Sequence, residues 1–172
     1  MPNLKMLVKA VAVTSAIGLM PFGFAATVAA APGSPANTQK LMRALSNGYS
    51  PSTCSAAADL TVDAIAVVDC TQNALDGGPT AARYILYSKP AQLADHFTKI
   101  TEDDAIFPCA PNEPAPQTWH YDATPDVDAG QVSCGTYNGA PELAWTNTGK
   151  LVMVSAQGAD INAMYTWWLA NG

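Results

Sequence analysis

The sequence is poor in basic residues. Only 8 of its 172 residues are lysine or arginine, against 14 acidic residues, and the formal net charge is −6. No cluster of basic residues occurs anywhere along the chain. Proteins bind nucleic acids and anionic membrane surfaces by neutralising phosphate groups with lysine and arginine. The composition therefore argues against nucleic acid and against an anionic membrane surface as partners.

The sequence also lacks the motifs of several enzyme and metal-site classes. No G-x-S-x-G string, which marks the nucleophile of an α/β-hydrolase, is present. No C-x-x-C pair occurs, and only His96 and His120 could join the cysteines as zinc ligands. Asp126 and Asp128 are spaced so that they could bind calcium weakly, but the ordered pattern of calcium ligands in an EF-hand is absent. We therefore predict no catalytic residue, no metal and no cofactor, and expect a protein that is not an enzyme.

Acidic residues occur in two short groups. Glu102, Asp103 and Asp104 follow a predicted helix, and three further aspartates lie in the proline-containing stretch 122–128. Glycosidase chemistry needs two carboxylates held at a defined separation in a cleft, and nothing in the sequence indicates one. We predict that these acids are solvated loop residues and that His96 is a surface or boundary histidine.

One long uncharged stretch stands near the N-terminus. Lys5 and Lys9 precede residues 10–31, which carry no charge and end in small alanines. A positive start, an apolar middle and small residues at the end are typical of a secretory signal peptide. A proline and a glycine interrupt the run, which disfavours the alternative of a retained membrane anchor. We predict a signal peptide over residues 1–30, no membrane span after its cleavage, and a secreted or extracytoplasmic protein.

All four cysteines follow the predicted signal, at Cys54, Cys70, Cys109 and Cys134. An even number of cysteines in an exported chain indicates disulfides. Four cysteines allow three pairings. We predict Cys54–Cys70 and Cys109–Cys134, because the pairing of sequence neighbours keeps each bridge within one half of the chain.

Apolar periodicity indicates an α+β fold. We predict a flexible lead-in over residues 31–40 and a single disulfide-stapled domain over residues 41–172. Predicted helices cover residues 38–46 and 91–101 and a segment that begins after Asp160. Predicted strands cover residues 64–71, 82–88, 130–135, 142–146 and 151–157, with residues 119–121 as a further candidate.

The order of these elements is weakly repeated. A strand ending in cysteine, a glycine-containing loop, an aromatic-bearing strand and a helix occur in residues 64–97. The same order, with one strand more, occurs in residues 130–168. Two strand–strand–helix halves of this kind favour one antiparallel sheet with the helices packed on one face.

Aromatic residues are concentrated in the second half. Trp119, Tyr121 and Trp167 are the candidate binding residues, because aromatic rings combine apolar area with a polar handle. The adjacent Trp167 and Trp168 lie about 100° apart around a helix. We therefore predict that Trp168, together with Trp145, belongs to the core and that Trp167 is where a partner would be met.

Several short motifs, in their order, resemble an extracytoplasmic module of actinobacteria. They include LSNGY at 45–49, VDC at 68–70, GGP at 77–79, YILY at 84–87, GQVSCG at 130–135, AWT at 144–146 and YTWW at 165–168. The module occurs as small secreted proteins in mycobacteria, and a similar pattern is appended outside the membrane to some actinobacterial serine/threonine kinases. The resemblance covers residues 41–168 and implies a sensor-like or binding domain. These 172 residues contain no kinase domain, so the resemblance implies no phosphotransfer.

The expected function is that of a secreted, non-catalytic binding or sensor-like domain. Its partner is expected to be a small molecule, a cell-envelope component or a protein. One alternative is a secreted hydrolase, which a pocket joining His96 or His120 to a carboxylate and a hydroxyl would favour. The other is an extracellular protein–protein effector, which an exposed apolar patch near Trp167 and the proline-rich loop would favour.

Overall fold

The computed structural model describes residues 30–61 and 63–172. Residues 1–29, and with them almost all of the predicted signal peptide, lie outside this range. Within it, no helix combines the length and apolar character needed to cross a membrane.

The described chain forms three helices and eight strands. The helices are α1 (Pro35–Met42), α2 (Pro90–Asp103) and α3 (Ile161–Asn171). The strands are β1 (Cys54–Ala56), β2 (Ala64–Cys70), β3 (Ala81–Tyr87), β4 (Ala105–Phe107), β5 (Gln117–Tyr121), β6 (Thr124–Tyr137), β7 (Ala140–Asn147) and β8 (Val152–Gln157).

All eight strands belong to one antiparallel sheet, and seven of them follow the order β1-β2-β3-β8-β7-β6-β4. Strand β5 also pairs with β6, along the part of β6 that β4 does not reach. Asn138 and Gly139, with φ angles of 51° and 80°, form the tight turn between β6 and β7, as their sequence predicts. The predicted α+β class and single antiparallel sheet are confirmed.

Both predicted disulfides are also confirmed. Cys54 and Cys70 lie directly opposite each other on β1 and β2, so their bridge fastens the edge strand to the sheet. The bridge from Cys109 to Cys134 fastens the segment after β4 to β6.

The prediction that the helices cover one face of the sheet is wrong. On β3, Tyr84 and Leu86 point into a core cluster with α1 and α3, whereas Ile85 and Tyr87 point into a second cluster with α2. Four consecutive large apolar residues on a strand place apolar groups on both faces. Each face of the sheet therefore requires a helical cover.

The repeated order of elements occurs in the strands but not in the helices. Hairpins β2–β3 and β7–β8 lie side by side with β3 next to β8, and each hairpin is followed by a helix. However, α2 and α3 cover opposite faces of the sheet. Because β3 and β8 are antiparallel, a two-fold axis that exchanged the two hairpins would run perpendicular to the sheet and would keep each helix on its own face. Equivalent halves would therefore have both helices on the same face, so the two halves are not structurally equivalent.

Helix α1 begins earlier than its sequence pattern predicts, so residues 35–40 are helical rather than a flexible lead-in. The Ser34 side chain caps the helix by accepting a hydrogen bond of 3.3 Å from the backbone nitrogen of Asn37, and Pro35 occupies the first turn. The buried Asn37 side chain donates to the carbonyl oxygens of Ala31 at 3.0 Å and Ile65 at 3.3 Å. These bonds fix the helix against β2.

Replacing Cys109 and Cys134 together by serine should lower the free energy of unfolding by about 3 kcal/mol, because the bridge restricts the unfolded chain. The matched pair Cys54 and Cys70 closes a separation of 16 residues instead of 25, so its removal should be slightly less destabilising. Urea unfolding of residues 31–172 measures both changes. Wild-type stability in the Cys109 and Cys134 double variant would contradict this account.

Candidate functional site

Two cavities open on opposite faces of the sheet. The larger, which we call the acidic cavity, has a volume of about 410 Å³ and lies between α2 and the sheet. The smaller, the aromatic cavity, has a volume of about 230 Å³ and lies between the sheet and the C-terminal end of α3. The residues after α1, strand β5 and the β7–β8 turn complete its walls.

The acidic cavity exists because one sheet face changes from apolar to polar along its strands. On β8, Met153 packs beneath α2, whereas Ser155 and Gln157, further along the same face, line the cavity. Ile85 and Ile100 form an apolar wall on the side nearest the core. The site thus combines apolar surface with a polar floor.

Glu142 is the central group of the acidic cavity. It is only 3% exposed, and its two carboxylate oxygens accept hydrogen bonds from Ser155 Oγ and Gln157 Nε2, both at 2.9 Å. The lining residue Arg83 is held by Asp69 through bonds of 2.7 and 2.9 Å. In the described residues no cation forms an ion pair with Glu142. A buried carboxylate with only neutral partners is destabilising, so Glu142 is suited to receive a positive charge.

Asp104 is the second carboxyl group of this cavity. Asp104 lies beside Gly135 of β6, since a Cβ atom added to Gly135 would be 3.3 Å from Asp104 Cβ. Gly135 in turn pairs with Glu142 on β7, so Gly135 lies between the two acidic residues. Burial, followed by the charges of Glu142 and Asp103, raises the pKa of Asp104 from 3.8 to about 6. Its Oδ1 atom is buried without a partner among the described residues. The prediction that Asp104 is a solvated loop acid is therefore wrong.

The acids at the end of α2 oppose the helix dipole. Glu102, Asp103 and Asp104 occupy the C-terminal end of the helix, whose last turn contains no basic residue. The C-terminal end of a helix carries a partial negative charge and favours cations. This arrangement reduces the stability of the helix and concentrates negative potential at the mouth of the acidic cavity.

His96 adds an imidazole to the acidic cavity. Its Nδ1 atom contacts the hydroxyl of Tyr87, and burial, followed by the charge of Lys99, lowers its pKa. His96 lies at the boundary between core and surface, as predicted. The exposed His120 instead pairs with Asp128 at 3.0 Å and belongs to neither cavity.

Trp119 and Tyr121, two of the predicted binding residues, lie at and beside the aromatic cavity. Trp119 lines it, and its Nε1 donates to the carbonyl oxygen of Thr146 at 2.9 Å. The Tyr121 ring lies edge-on to Trp119 with centroids 4.9 Å apart. Its hydroxyl accepts a bond of 2.7 Å from Asn147 Nδ2, and Asn147 also lines the cavity.

The prediction that Trp167 is available to a partner is wrong. Trp167 is 3% exposed and Trp168 is 6% exposed, so both belong to the core. Trp167 packs edge-on against Tyr49 with centroids 6.2 Å apart, and Trp168 packs edge-on against Trp119 with centroids 5.7 Å apart. Helix α3 is thus covered on two sides, and the exposed residues of its last turn are Leu169 and Ala170.

Glu142 is the functional candidate that sequence reasoning missed. The strand pattern places Glu142 on the same face as Ala144 and Thr146, and all three side chains are buried. The sequence signal that could have identified Glu142 is a charged residue within a predicted strand, on a face that is buried. The sequence alone does not identify that face, because β7 carries apolar residues on both of its faces.

Comparisons with known proteins find no match to the chain among protein-family models, curated proteins or solved structures.

Replacing Trp167 by alanine should lower the free energy of unfolding by about 3–5 kcal/mol, because a large buried ring is removed. Leu169→Ala in the same helix turn, where the side chain is 66% exposed, is the control and should change stability by less than about 0.5 kcal/mol. Urea denaturation checks both values. Equal effects of the two substitutions would show that Trp167 is not a core residue.

Glu142→Gln should lower the pKa of Asp104 from about 6 towards 3.8, without reaching it, because burial still disfavours the ionised form. Glu102→Gln removes a charge from the same helix end outside the cavity and serves as the control. Carboxyl-carbon NMR titration measures the pKa. An unchanged Asp104 pKa in Glu142→Gln would mean that the two groups do not interact.

Proposed function

We propose that the chain is an extracytoplasmic, non-catalytic binding or sensor-like domain whose ligand occupies the acidic cavity. The observation that carries this proposal is Glu142, a carboxylate that is 3% exposed and has only neutral hydrogen-bond partners in a cavity of about 410 Å³. The two disulfides support an oxidising, extracytoplasmic location, since such bonds persist there.

The chemistry of the acidic cavity favours a small organic cation as ligand. A positively charged donor would compensate the burial of Glu142 and would also meet Asp103 and Asp104. The apolar wall of Ile85 and Ile100 suits a hydrocarbon body beside that charge. A volume of about 410 Å³ accommodates a small molecule rather than a folded partner.

The rim of the acidic cavity adds a further contact for a cation. Tyr137, the last residue of β6, lines the cavity and is 42% exposed. An aromatic ring attracts a cation placed over its face. The carboxylates would hold the charged group of the ligand, and the Tyr137 ring would cover it at the mouth.

Isothermal titration calorimetry with primary amines, from butylamine to 2-phenylethylamine, tests this proposal. Each amine is paired with the alcohol of the same shape, which lacks the charge. We expect the amines to bind and the alcohols to bind at least about tenfold more weakly, since a charge-assisted hydrogen bond contributes about 1.5–3 kcal/mol.

Two substitutions, each of which removes one negative charge, serve as the test variant and its control in this titration. Glu142→Gln should weaken amine binding at least about tenfold. Glu102→Gln, which lies outside the cavity at the same helix end, should leave binding unchanged. No amine binding, equal binding of amine and alcohol, or equal binding by the two variants would overturn the proposal.

A secreted hydrolase is the second candidate function. The observation in its favour is that His96, Asp104, Glu142 and the hydroxyl of Ser155 line one cavity. Against it, Ser155 Oγ donates to Glu142, and the Nδ1 atom of His96 contacts the hydroxyl of Tyr87, so that nitrogen does not pair with the Ser155 hydroxyl. Turnover of ester, glycoside or peptide substrates that Asp104→Asn or His96→Gln abolishes would establish the hydrolase and refute the non-catalytic proposal.

A further inference from the structure

We propose that the aromatic cavity is a second binding site, which takes a single sugar ring that carries a carboxylate. The site lies on the sheet face opposite the acidic cavity, and the two cavities share no lining residue. Its volume of about 230 Å³ suits one ring rather than an extended chain.

The walls of the aromatic cavity include two indole rings in fixed positions. Trp119 is held by its hydrogen bond to the Thr146 carbonyl and by edge contacts with Trp168 and Tyr121. Trp145 is 4% exposed and packs against Trp168. A rigid aromatic face is suited to the apolar C–H face of a sugar, and little conformational entropy is lost when the sugar binds.

Three asparagines lie around these rings, and each retains hydrogen-bonding capacity. Asn147 Nδ2 donates to Tyr121, Asn171 Nδ2 donates to the Trp167 carbonyl at 2.9 Å, and Asn47 Nδ2 donates to Asn171 Oδ1 at 3.4 Å. Every amide nitrogen carries two hydrogens, and each of these bonds uses one of them. Side-chain amides offer donors and acceptors together, which is what vicinal hydroxyl groups require.

Lys150 supplies the charge that selects an acidic sugar. It lines the aromatic cavity, and no ion pair of the described residues includes it, although the chain contains 14 acids. No aspartate or glutamate side chain is found among the described residues that line this cavity. The carboxylate of a bound sugar would meet the ammonium group of Lys150.

Gly172, which lines the aromatic cavity, lies against a buried donor that has no acceptor in the described part of the chain. Trp168 Nε1 is buried without a hydrogen-bond partner among the described residues, and Trp168 is 6% exposed. A side chain in place of Gly172, which lines the cavity, would collide with this nitrogen. Trp168 therefore contributes to the site through its edge contact with Trp119 and not as a donor to the ligand.

Methyl glucuronide and methyl glucoside are matched probes, because the glucuronide carries a carboxylate where the glucoside carries a hydroxymethyl group and the two are otherwise identical. We expect the glucuronide to bind at least about tenfold more tightly, and to shift the indole N–H signals of Trp119 and Trp145 in NMR spectra. Binding that shifts neither signal, equal binding of both sugars, or binding of neither would overturn the proposal.

Lys150→Gln should reduce glucuronide binding to the level of the glucoside. Lys99→Gln, an exposed lysine of α2 on the opposite face of the sheet, is the control and should bind the glucuronide like the wild type. Both lysines are exposed, so neither substitution should affect folding. Glucuronide binding that survives in Lys150→Gln would overturn the assignment of the charge.

Discussion

The structure depends on the interior strand β3, whose residues Tyr84, Ile85, Leu86 and Tyr87 are all buried. Alternation sends two of these side chains to each face, so neither face of the sheet can be left to solvent. Helices α1 and α3 cover one face and α2 covers the other. The 14 residues of α2 reach only the apolar part of their face, and the polar remainder forms the acidic cavity. The acidic cavity is thus a consequence of how the core is covered.

The two cavities differ in charge, and the difference follows from where a few side chains lie. On the α2 face, Glu142 is buried in the sheet, and Asp103 and Asp104 end a helix whose dipole disfavours them. On the other face, Lys150 lies in a turn beside Trp119 and three asparagines. Local rules of stability are most often violated at functional sites. The carboxylates of the α2 face violate two such rules, on burial and on helix charge, so we propose the acidic cavity as the principal site.

Sequence patterns predict the local features of this fold and its single antiparallel sheet, but not which side chains are buried or which face each helix covers. The Asn138–Gly139 turn, the longer strands and the cysteine pairing could be predicted, because each depends on local conformation or on proximity along the chain. The three-residue strands β1 and β4 are too short to show a period. The burial of Trp167 depends on packing against Tyr49, far away in sequence. The actinobacterial resemblance stays a prediction.

The central claim is that the Glu142 carboxylate receives a cationic ligand, and carboxyl-carbon NMR tests it most directly. The Glu142 signal, assigned by its loss in Glu142→Gln, is followed while a primary amine is added. This account predicts a saturable shift of that signal with the affinity that calorimetry gives, and no shift for the exposed Glu102. An amine that binds with calorimetric saturation and leaves the Glu142 signal unmoved would contradict it.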